Sequence, residues 1–209
     1  MLNLILTLLA ILLILVVNEV LWRKRTTHGE FSRKFVHMSV GAFAAFWPFY
    51  LSWGQIELIA LSMFVVVIIS KYLGVFQAIH SVQRATWGEA TFALSILLIA
   101  LLTNDKWIFT AAIFQMSIAD GLAALVGVRF GRKYSYIIFK HTKSLIGTLA
   151  FFVASVLILF GYAHFATVTL SLSFILIVSV MSALLENIAV YGLDNVLVPL
   201  FVAFVLINH

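Results

Sequence analysis

The chain has 209 residues, of which 64% are hydrophobic and 10% are charged, and it lacks cysteine, which excludes disulfides and thiolate metal sites. Soluble domains average about 45–50% apolar and about 25% charged residues, so the composition excludes a water-soluble fold. The net charge of +5 does not indicate nucleic-acid binding, because the basic residues stand in short loops between apolar runs, a pattern typical of membrane orientation.

Apolar runs that can cross a bilayer, which takes about 20 residues, follow one another along the whole chain. The predicted spans are 2–22, 35–53, 55–71, 90–103, 107–128, 145–163, 166–185 and 188–207. The sequence therefore predicts an all-α, polytopic transmembrane helical bundle of seven to eight spans, in one integral membrane domain over residues 1–209. Residues 72–89 are too polar to span and are predicted to form a helix at the membrane surface.

The first run lacks a basic segment before it and a small-residue cleavage site, and Arg23, Lys24 and Arg25 follow it. It is predicted to be an uncleaved anchor span with its N-terminus outside. Alternating the later spans places the loops 23–34, 72–89 and 129–143 in the cytoplasm. Together with Lys71, these loops hold all of the 13 lysines and arginines except Lys106, as the positive-inside rule requires.

The second predicted span opens with a cluster of basic side chains. Ser32 is a predicted N-cap, and Arg33 and Lys34 follow it at the positive end of the helix dipole. His37 lies one turn later, next to both cations. These groups repel one another unless an anion lies between them, so we expect an anion here. The alternative is a positive-inside loop with His37 as a neutral interfacial residue.

Asp120 lies within the span 107–128, roughly 13 Å below the basic edge at Arg129 if the helix is continuous. A carboxylate within a span costs about 2.5–3.5 kcal/mol and usually faces a cavity, a partner or an ion. We therefore expect Asp120 to be functional. The alternative is a structural ion pair with a nearby lysine or arginine.

Small residues follow Asp120 on the same helical face. Gly121 comes directly after it, and Ala124, Gly127 and Gly131 share its face. With almost no side chain, this face lets another group approach the backbone closely. It indicates either a groove for an anionic ligand or close helix packing, since Gly127 and Gly131 also form a small-xxx-small motif.

The third cytoplasmic loop delivers Lys140, Lys143 and Ser144 to the start of the next span. Helix N-termini present free N–H groups and a partial positive charge, which suit phosphate. Gly147 continues a small-residue face below Lys143. The alternative, lysines that extend to lipid headgroups, accounts well for Lys140.

Glu186, Gly192, Asp194, Asn195 and Pro199 interrupt the apolar C-terminal region. Non-helical backbone at membrane depth is tolerated only where protein buries it or a cavity hydrates it. Alternation of the spans places these residues in the cytoplasmic half, with the basic groups. Mg²⁺ takes one or two carboxylates together with substrate phosphates. A magnesium–nucleotide complex therefore suits both signs of charge, and the apolar surroundings suit a lipid substrate from the bilayer.

Four motifs resemble those of the polyprenol kinase family, which contains dolichol, phytol and CTP-dependent diacylglycerol kinases, and are more distantly similar to CDP-diacylglycerol synthases. They are Arg-Lys-x-x-His at 33–37, Asp120 with its glycines, Lys-Ser-x-x-Gly at 143–147 and Leu-Asp-Asn-x-x-x-Pro at 193–199. The resemblance implies a catalytic bundle over about 32–207 that transfers the γ-phosphate of a nucleotide, often CTP, to a long-chain alcohol.

Together, the charge pattern and the resemblance predict three sets of site residues on the cytoplasmic face. The catalytic residues are Asp120, Lys143, Asp194 and His37, and the Mg²⁺ ligands are Asp120, Asp194 and Glu186. The nucleotide-binding residues are Arg33, Lys34, Gly121, Gly127, Arg129, Gly131, Ser144, Gly147 and Asn195.

Two departures from the family pattern bear on the substrate. Many relatives have Glu at the position of Ile146, although phytol kinases commonly lack it, and many have a second acid at the position of Leu193. The first departure favours a prenyl alcohol such as phytol, farnesol or a polyprenol, with CTP or ATP as the donor. Two alternatives are a cytidylyltransferase that forms a CDP-lipid and, less favoured because the polar residues gather on one face without a repeat, a small transporter.

Overall fold

The computed structural model of the chain describes residues 1–24, 29–73, 87–139 and 141–209. Over these ranges the chain forms nine α-helices and one short hairpin. The helices are α1 Leu2–Arg23, α2 Gly29–Ala44, α3 Trp53–Leu73, α4 Gly88–Leu102, α5 Lys106–Phe114, α6 Asp120–Phe130, α7 Leu145–Phe165, α8 Leu172–Ile188 and α9 Asp194–Ile207. Helices α5 and α6 are joined by a π-helical turn, Gln115–Ala119, so they form one continuous rod.

The helices have the length and apolar surface of a membrane protein. Four helical stretches in the described part of the chain can cross a bilayer: Leu2–Arg23, Trp53–Ser70, Lys106–Phe130 and Leu145–Phe165. Helices α4, α8 and α9 are equally apolar but shorter. Many leucines, valines and phenylalanines are exposed on the outside of the bundle. Exposure of so many apolar side chains to water would be unfavourable, whereas contact with lipid is not. The chain is thus a helical membrane protein, whereas the number of spans and the outside N-terminus stay predictions.

The second predicted span, 35–53, is wrong in its extent. Helix α2 begins at Gly29, so Ser32 lies within the helix and is not its N-cap. The helix ends at Ala44, and a separate 3₁₀ turn follows at Trp47–Phe49. Pro48 explains this end, because proline lacks the N–H that an α-helix needs and its ring clashes with the preceding turn.

A two-stranded hairpin, β1 Ser135–Ile138 and β2 His141–Ser144, adds a feature that the all-α prediction did not contain. The strands are antiparallel and pair Tyr136 with Lys143. The hydroxyl of Tyr136 donates to Asn187 Oδ1 and lies 2.7 Å from Thr148 Oγ1, which fixes the hairpin to α8 and α7. Most of the predicted surface helix, residues 74–86, and Lys140 lie outside the described residues.

Helices α6 and α7 pack closely together through glycine. A Cβ built on Gly147 would lie 2.8 Å from the Ala123 carbonyl oxygen and 3.3 Å from Gly127 Cα, so the two helices meet at backbone distance. The packing alternative for this small-residue face is therefore correct. A small apolar cluster adjoins this contact and includes Ala123, Phe151 and Val198.

Candidate active site

A cavity of about 490 Å³ opens where α2, α6, α7, the hairpin and the α8–α9 turn meet. Four cationic side chains and three carboxylates line it. Eleven of the predicted site residues are in its wall: Arg33, Lys34, Asp120, Gly127, Gly131, Lys143, Ser144, Gly147, Glu186, Asp194 and Asn195. The fold thus brings together charged groups that are up to about 160 residues apart in sequence.

Asp120 is held at the start of α6, directly after the π-helical turn. Its Oδ2 accepts a 2.5 Å hydrogen bond from Lys34 Nζ, and both side chains are buried. His37 Nε2 lies 3.4 Å from the same carboxylate oxygen and donates to the Met116 carbonyl at 2.8 Å. Isolated π-turns occur often at functional sites, and this one supplies the carbonyl of Met116. The ion-pair alternative for Asp120 is therefore present in the structure, within the cavity wall.

Lys143 and Glu186 form a second ion pair across the cavity. Lys143 Nζ donates to Glu186 Oε1 at 2.5 Å and to the Glu186 backbone carbonyl at 2.9 Å. Burial lowers the pKa of Lys143, but the carboxylates of Glu186, Asp194 and Asp120 together raise it by more, so the pKa lies above its ordinary value of 10.5. Lys143 is therefore charged at neutral pH.

Asp194 reaches the cavity because the chain turns sharply between α8 and α9. Gly192 has φ of +91°, and a Cβ there would lie 2.6 Å from Gly88 Cα, so both the backbone angle and the space require glycine. Asn195 Nδ2 donates to the Gly88 carbonyl at 2.7 Å. These contacts fix the start of α9 against α4. Within the described residues, Asp194 makes no ion pair, and Asn195 Oδ1 is buried without a hydrogen-bond partner.

The three carboxylates fit a divalent cation. Asp120, Glu186 and Asp194 each offer one oxygen, and these three atoms all lie within 4.8 Å of one another. Carboxylate oxygens are the ligands that Mg²⁺ prefers, and it usually completes its octahedron with water and phosphate oxygens. Such a group of acids is costly at membrane depth unless cations compensate it, and Lys34 and Lys143 provide part of that charge.

Small residues form part of the cavity wall. A Cβ on Gly131 would collide with the side chain of Ser144 and with the Gly127 carbonyl. Ser144 is the N-cap of α7, and its Oγ accepts from the Gly147 N–H at 3.1 Å. The backbone of α6 and the first turn of α7 therefore border the cavity without side chains that would fill it.

Three predicted site residues do not line this cavity. His37 faces a neighbouring apolar cavity and touches the polar one only through Asp120. Gly121 packs against Met38, where a Cβ would collide with the methionine side chain. Arg129 is exposed and lies over the ring of Phe130, 5.5 Å from its centroid.

Sequence reasoning missed several residues of the cavity wall. Arg132 lies in the basic loop 129–143, and no role in the site was predicted for it. Its position directly after Gly131, at the end of the glycine face, could have indicated that it lines the cavity. Thr148 lies one turn beyond Ser144 on α7, so helical periodicity could have identified it. His141, Thr142 and Tyr191 also line the cavity. They reach it through the hairpin and the α8–α9 turn, neither of which leaves a periodic pattern.

Known proteins are similar to this chain in sequence. It is 34% identical over 193 residues to a phytol kinase of Synechocystis sp., an alignment that covers 87% of this chain and 80% of that protein. It is also 31% identical over 124 residues to an uncharacterised protein of Methanocaldococcus jannaschii, covering 58% of each chain. No protein-family model matches the chain. No solved structure matches it either.

Proposed function

Because the chain belongs to the polyprenol kinase family, which contains the phytol kinases, we propose that it transfers the γ-phosphate of CTP to the hydroxyl of a long-chain prenyl alcohol. The observation that carries the proposal is one cavity, lined by four cations and three carboxylates, in the wall of an apolar helical bundle. Cations suit the phosphates of a nucleotide, and the apolar surroundings suit a lipid alcohol. The resemblance to a family that often uses CTP supports the choice of donor.

The acids Asp120, Glu186 and Asp194 are the proposed ligands of Mg²⁺. The ion would neutralise charge on the β- and γ-phosphates, which three carboxylates would otherwise repel. Lys34 and Lys143 are bound to two of these acids in the structure. When the acids hold a cation, both lysines are free to donate to phosphate oxygens instead. This exchange of partners keeps the charges of Asp120 and Glu186 compensated with and without nucleotide.

The start of α7 and the glycine face of α6 form the proposed phosphate cradle. Ser144 is the N-cap of α7 and Lys143 directly precedes it, so both lie beside the N–H groups of the first turn. Gly127, Gly131 and Gly147 line the cavity and carry no side chains, so their backbone can border the phosphates. Phosphoryl transfer depends mainly on positioning and charge neutralisation, and this arrangement supports both.

The proposed reaction is a single displacement at the γ-phosphorus. The alcohol oxygen forms a bond to phosphorus, the bond from phosphorus to the bridging oxygen of the β-phosphate breaks, and the nucleoside diphosphate leaves. The hydroxyl proton passes to a carboxylate of the acid cluster.

A product assay tests the proposal. Purified protein with Mg²⁺ is offered CTP, ATP, GTP or UTP together with phytol, farnesol, a polyprenol or diacylglycerol, and the products are identified by mass. We expect a prenyl phosphate and cytidine diphosphate. Pyrophosphate and a CDP-lipid from a lipid phosphate would instead establish a cytidylyltransferase, and a product made only with ATP would overturn the choice of CTP.

We also propose that the cavity faces the cytoplasm, where nucleotides are available. The ends of the helices that form it carry most of the basic residues of the chain, including Arg33, Arg132 and Lys143. This placement follows the positive-inside rule.

A further inference from the structure

A second cavity, of about 260 Å³, lies between α1, α2, α3 and α4 and is lined almost entirely by apolar side chains. We call it the apolar groove. Its floor is buried and includes Ile11, Val40 and Ile59, whereas its rim includes Leu12 and Val66, which are 49% and 50% exposed. The groove is therefore closed towards the core and opens on the outer surface of the bundle, where lipid lies.

The apolar groove adjoins the polar cavity at one end. Arg33 lines both cavities. His37, one turn further along α2, lines the groove, while its Nε2 lies 3.4 Å from Asp120 Oδ2 in the polar cavity. Gly88 lines the groove, and its carbonyl accepts from Asn195 of the polar cavity. The charged groups of the groove, Arg33 and Glu89, are confined to this end.

We propose that the apolar groove holds the isoprenoid chain of the substrate alcohol, with the hydroxyl at Arg33 and His37. This inference rests on the proposed function and adds where its lipid substrate binds. An amphiphile with one polar end and an apolar body matches the distribution of polar groups along the groove. The open rim admits the chain sideways from the bilayer, and the shared wall at Arg33 brings the hydroxyl next to the phosphate cavity.

The size of the groove limits how much of the substrate it holds. Arg33 and Val40 mark its two ends along α2, and seven residues of helix span about 10 Å. Ligand pockets usually have volumes of about 300–1,000 Å³, so this groove is small. It therefore takes the isoprene units nearest the hydroxyl, and the rest of a longer chain stays in the bilayer. Chain length beyond these units is then recognised weakly.

Neighbouring residues provide matched variants to test the groove. Val66 lines the groove and Val65 does not, yet they are similarly exposed, at 50% and 46%. Tryptophan at either position is accommodated on the outer surface, so neither change disrupts the core. Val66→Trp fills the groove and should lower kcat/KM for phytol roughly tenfold, mainly through KM. Val65→Trp should stay within about twofold of the wild type. Leu12→Trp and Leu13→Trp form a second pair, because only Leu12 lines the groove.

Photolabelling shows whether a lipid alcohol occupies the apolar groove, and it does not depend on catalytic turnover. A farnesol analogue that carries a diazirine on its first isoprene units is irradiated with the folded protein, and the labelled peptides are identified by mass. We expect label on α1 and α3, displacement of the label by phytol, and weaker labelling of Val66→Trp than of Val65→Trp. Phytol-sensitive label on other helices, or equal kinetics and labelling of the two variants, would overturn the groove assignment while leaving the kinase proposal intact. Groove labelling without phosphorylation of any alcohol would overturn the kinase proposal instead.

Discussion

At the scale of single residues, the notable feature is that two buried acids are each bound to a lysine from a distant part of the chain. Asp120 pairs with Lys34, and Glu186 pairs with Lys143. Buried ion pairs often stabilise a fold no more than apolar residues of the same size would, whereas breaking one is costly. Their presence in a cavity wall is therefore better explained by ligand binding than by stability.

Removal of the Asp120 charge separates these roles. Asp120→Asn leaves Lys34 buried without a counter-charge, and we expect a loss of roughly 3–5 kcal/mol of stability together with loss of turnover. Lys34→Met in the same chain removes the stranded charge and should restore most of the stability but not the turnover. Melting temperature and activity per folded molecule are measured for the wild type, the single and the double mutants. A double mutant that regains both would contradict the catalytic role of Asp120.

Lys143 is the residue predicted to hold the phosphates. Lys143→Ala removes a charge-assisted donor from a poorly solvated site and should reduce kcat roughly 100-fold. Lys133→Ala is the control, because Lys133 is exposed and does not line the cavity. Turnover of the control should stay within about twofold of the wild type. Equal losses in the two variants would show that the loop acts through its overall charge and not through a nucleotide site.

At the scale of elements, the contact between α6 and α7 and the π-turn before α6 place the site. Glycines at the α6–α7 contact bring the start of α7, with Lys143 and Ser144, against α6. The π-turn changes the helical register just before Asp120, so the carboxylate points towards Lys34 of α2. Packing and ligand binding were opposed interpretations of the small residues. In the structure the same glycines serve the contact and border the cavity.

Two glycines of α7 test this contact. Gly147→Ala places a methyl group 2.8 Å from the Ala123 carbonyl and should destabilise the protein by about 1–3 kcal/mol, because the two backbones must separate. A Cβ at Gly161 meets nothing within 4 Å, so Gly161→Ala should leave stability unchanged or raise it by up to about 1 kcal/mol through helix propensity. Thermal unfolding in detergent measures both. If Gly147→Ala melts like Gly161→Ala, the close helix contact is wrong.

At the scale of the whole molecule, the polar features of four chain regions gather at one end of an apolar bundle. The start of α2, the start of α4, the hairpin and the α8–α9 turn are joined by direct contacts, such as Lys143 to Glu186 and Asn195 to Gly88. Helix ends that meet in this way must lie on the same side of the membrane. The threading of the spans makes the same prediction from the basic residues alone.

The orientation can be tested with single cysteines, because the chain contains none. Lys133→Cys, beside the hairpin, should react with an impermeant maleimide only after the cells are permeabilised. Val168→Cys, in the α7–α8 turn, should react in intact cells, since both positions are exposed and lie at opposite ends of α7. Reaction of Lys133→Cys in sealed cells would reverse the orientation and contradict the cytoplasmic placement of the cavity.

The sequence alone was sufficient for the features that follow from composition and local pattern. Apolar length predicted a helical membrane protein. Isolated acids and basic clusters within or beside spans identified six charged residues of the cavity wall, and the small-residue faces, the start of α7 and the family motifs identified five more. Such residues are detectable because lipid makes unpaired charges costly, so each one needs a reason to be present. The break between α8 and α9 was also predictable, from Gly192 and the polar residues around it.

Only the tertiary structure decided which charges pair, where His37 points, and that a hairpin completes the site. Lys34 and Asp120 are 86 residues apart, and nothing in their local sequence specifies the bond between them. Gly121 and Arg129 are close in sequence to residues of the site but lie on other faces of α6. The packing of α6 against α2 sets the rotation of the helix and therefore which of its faces lines the cavity. The apolar groove was likewise invisible in the sequence, since leucines and valines that face a substrate have the same pattern as those that face lipid.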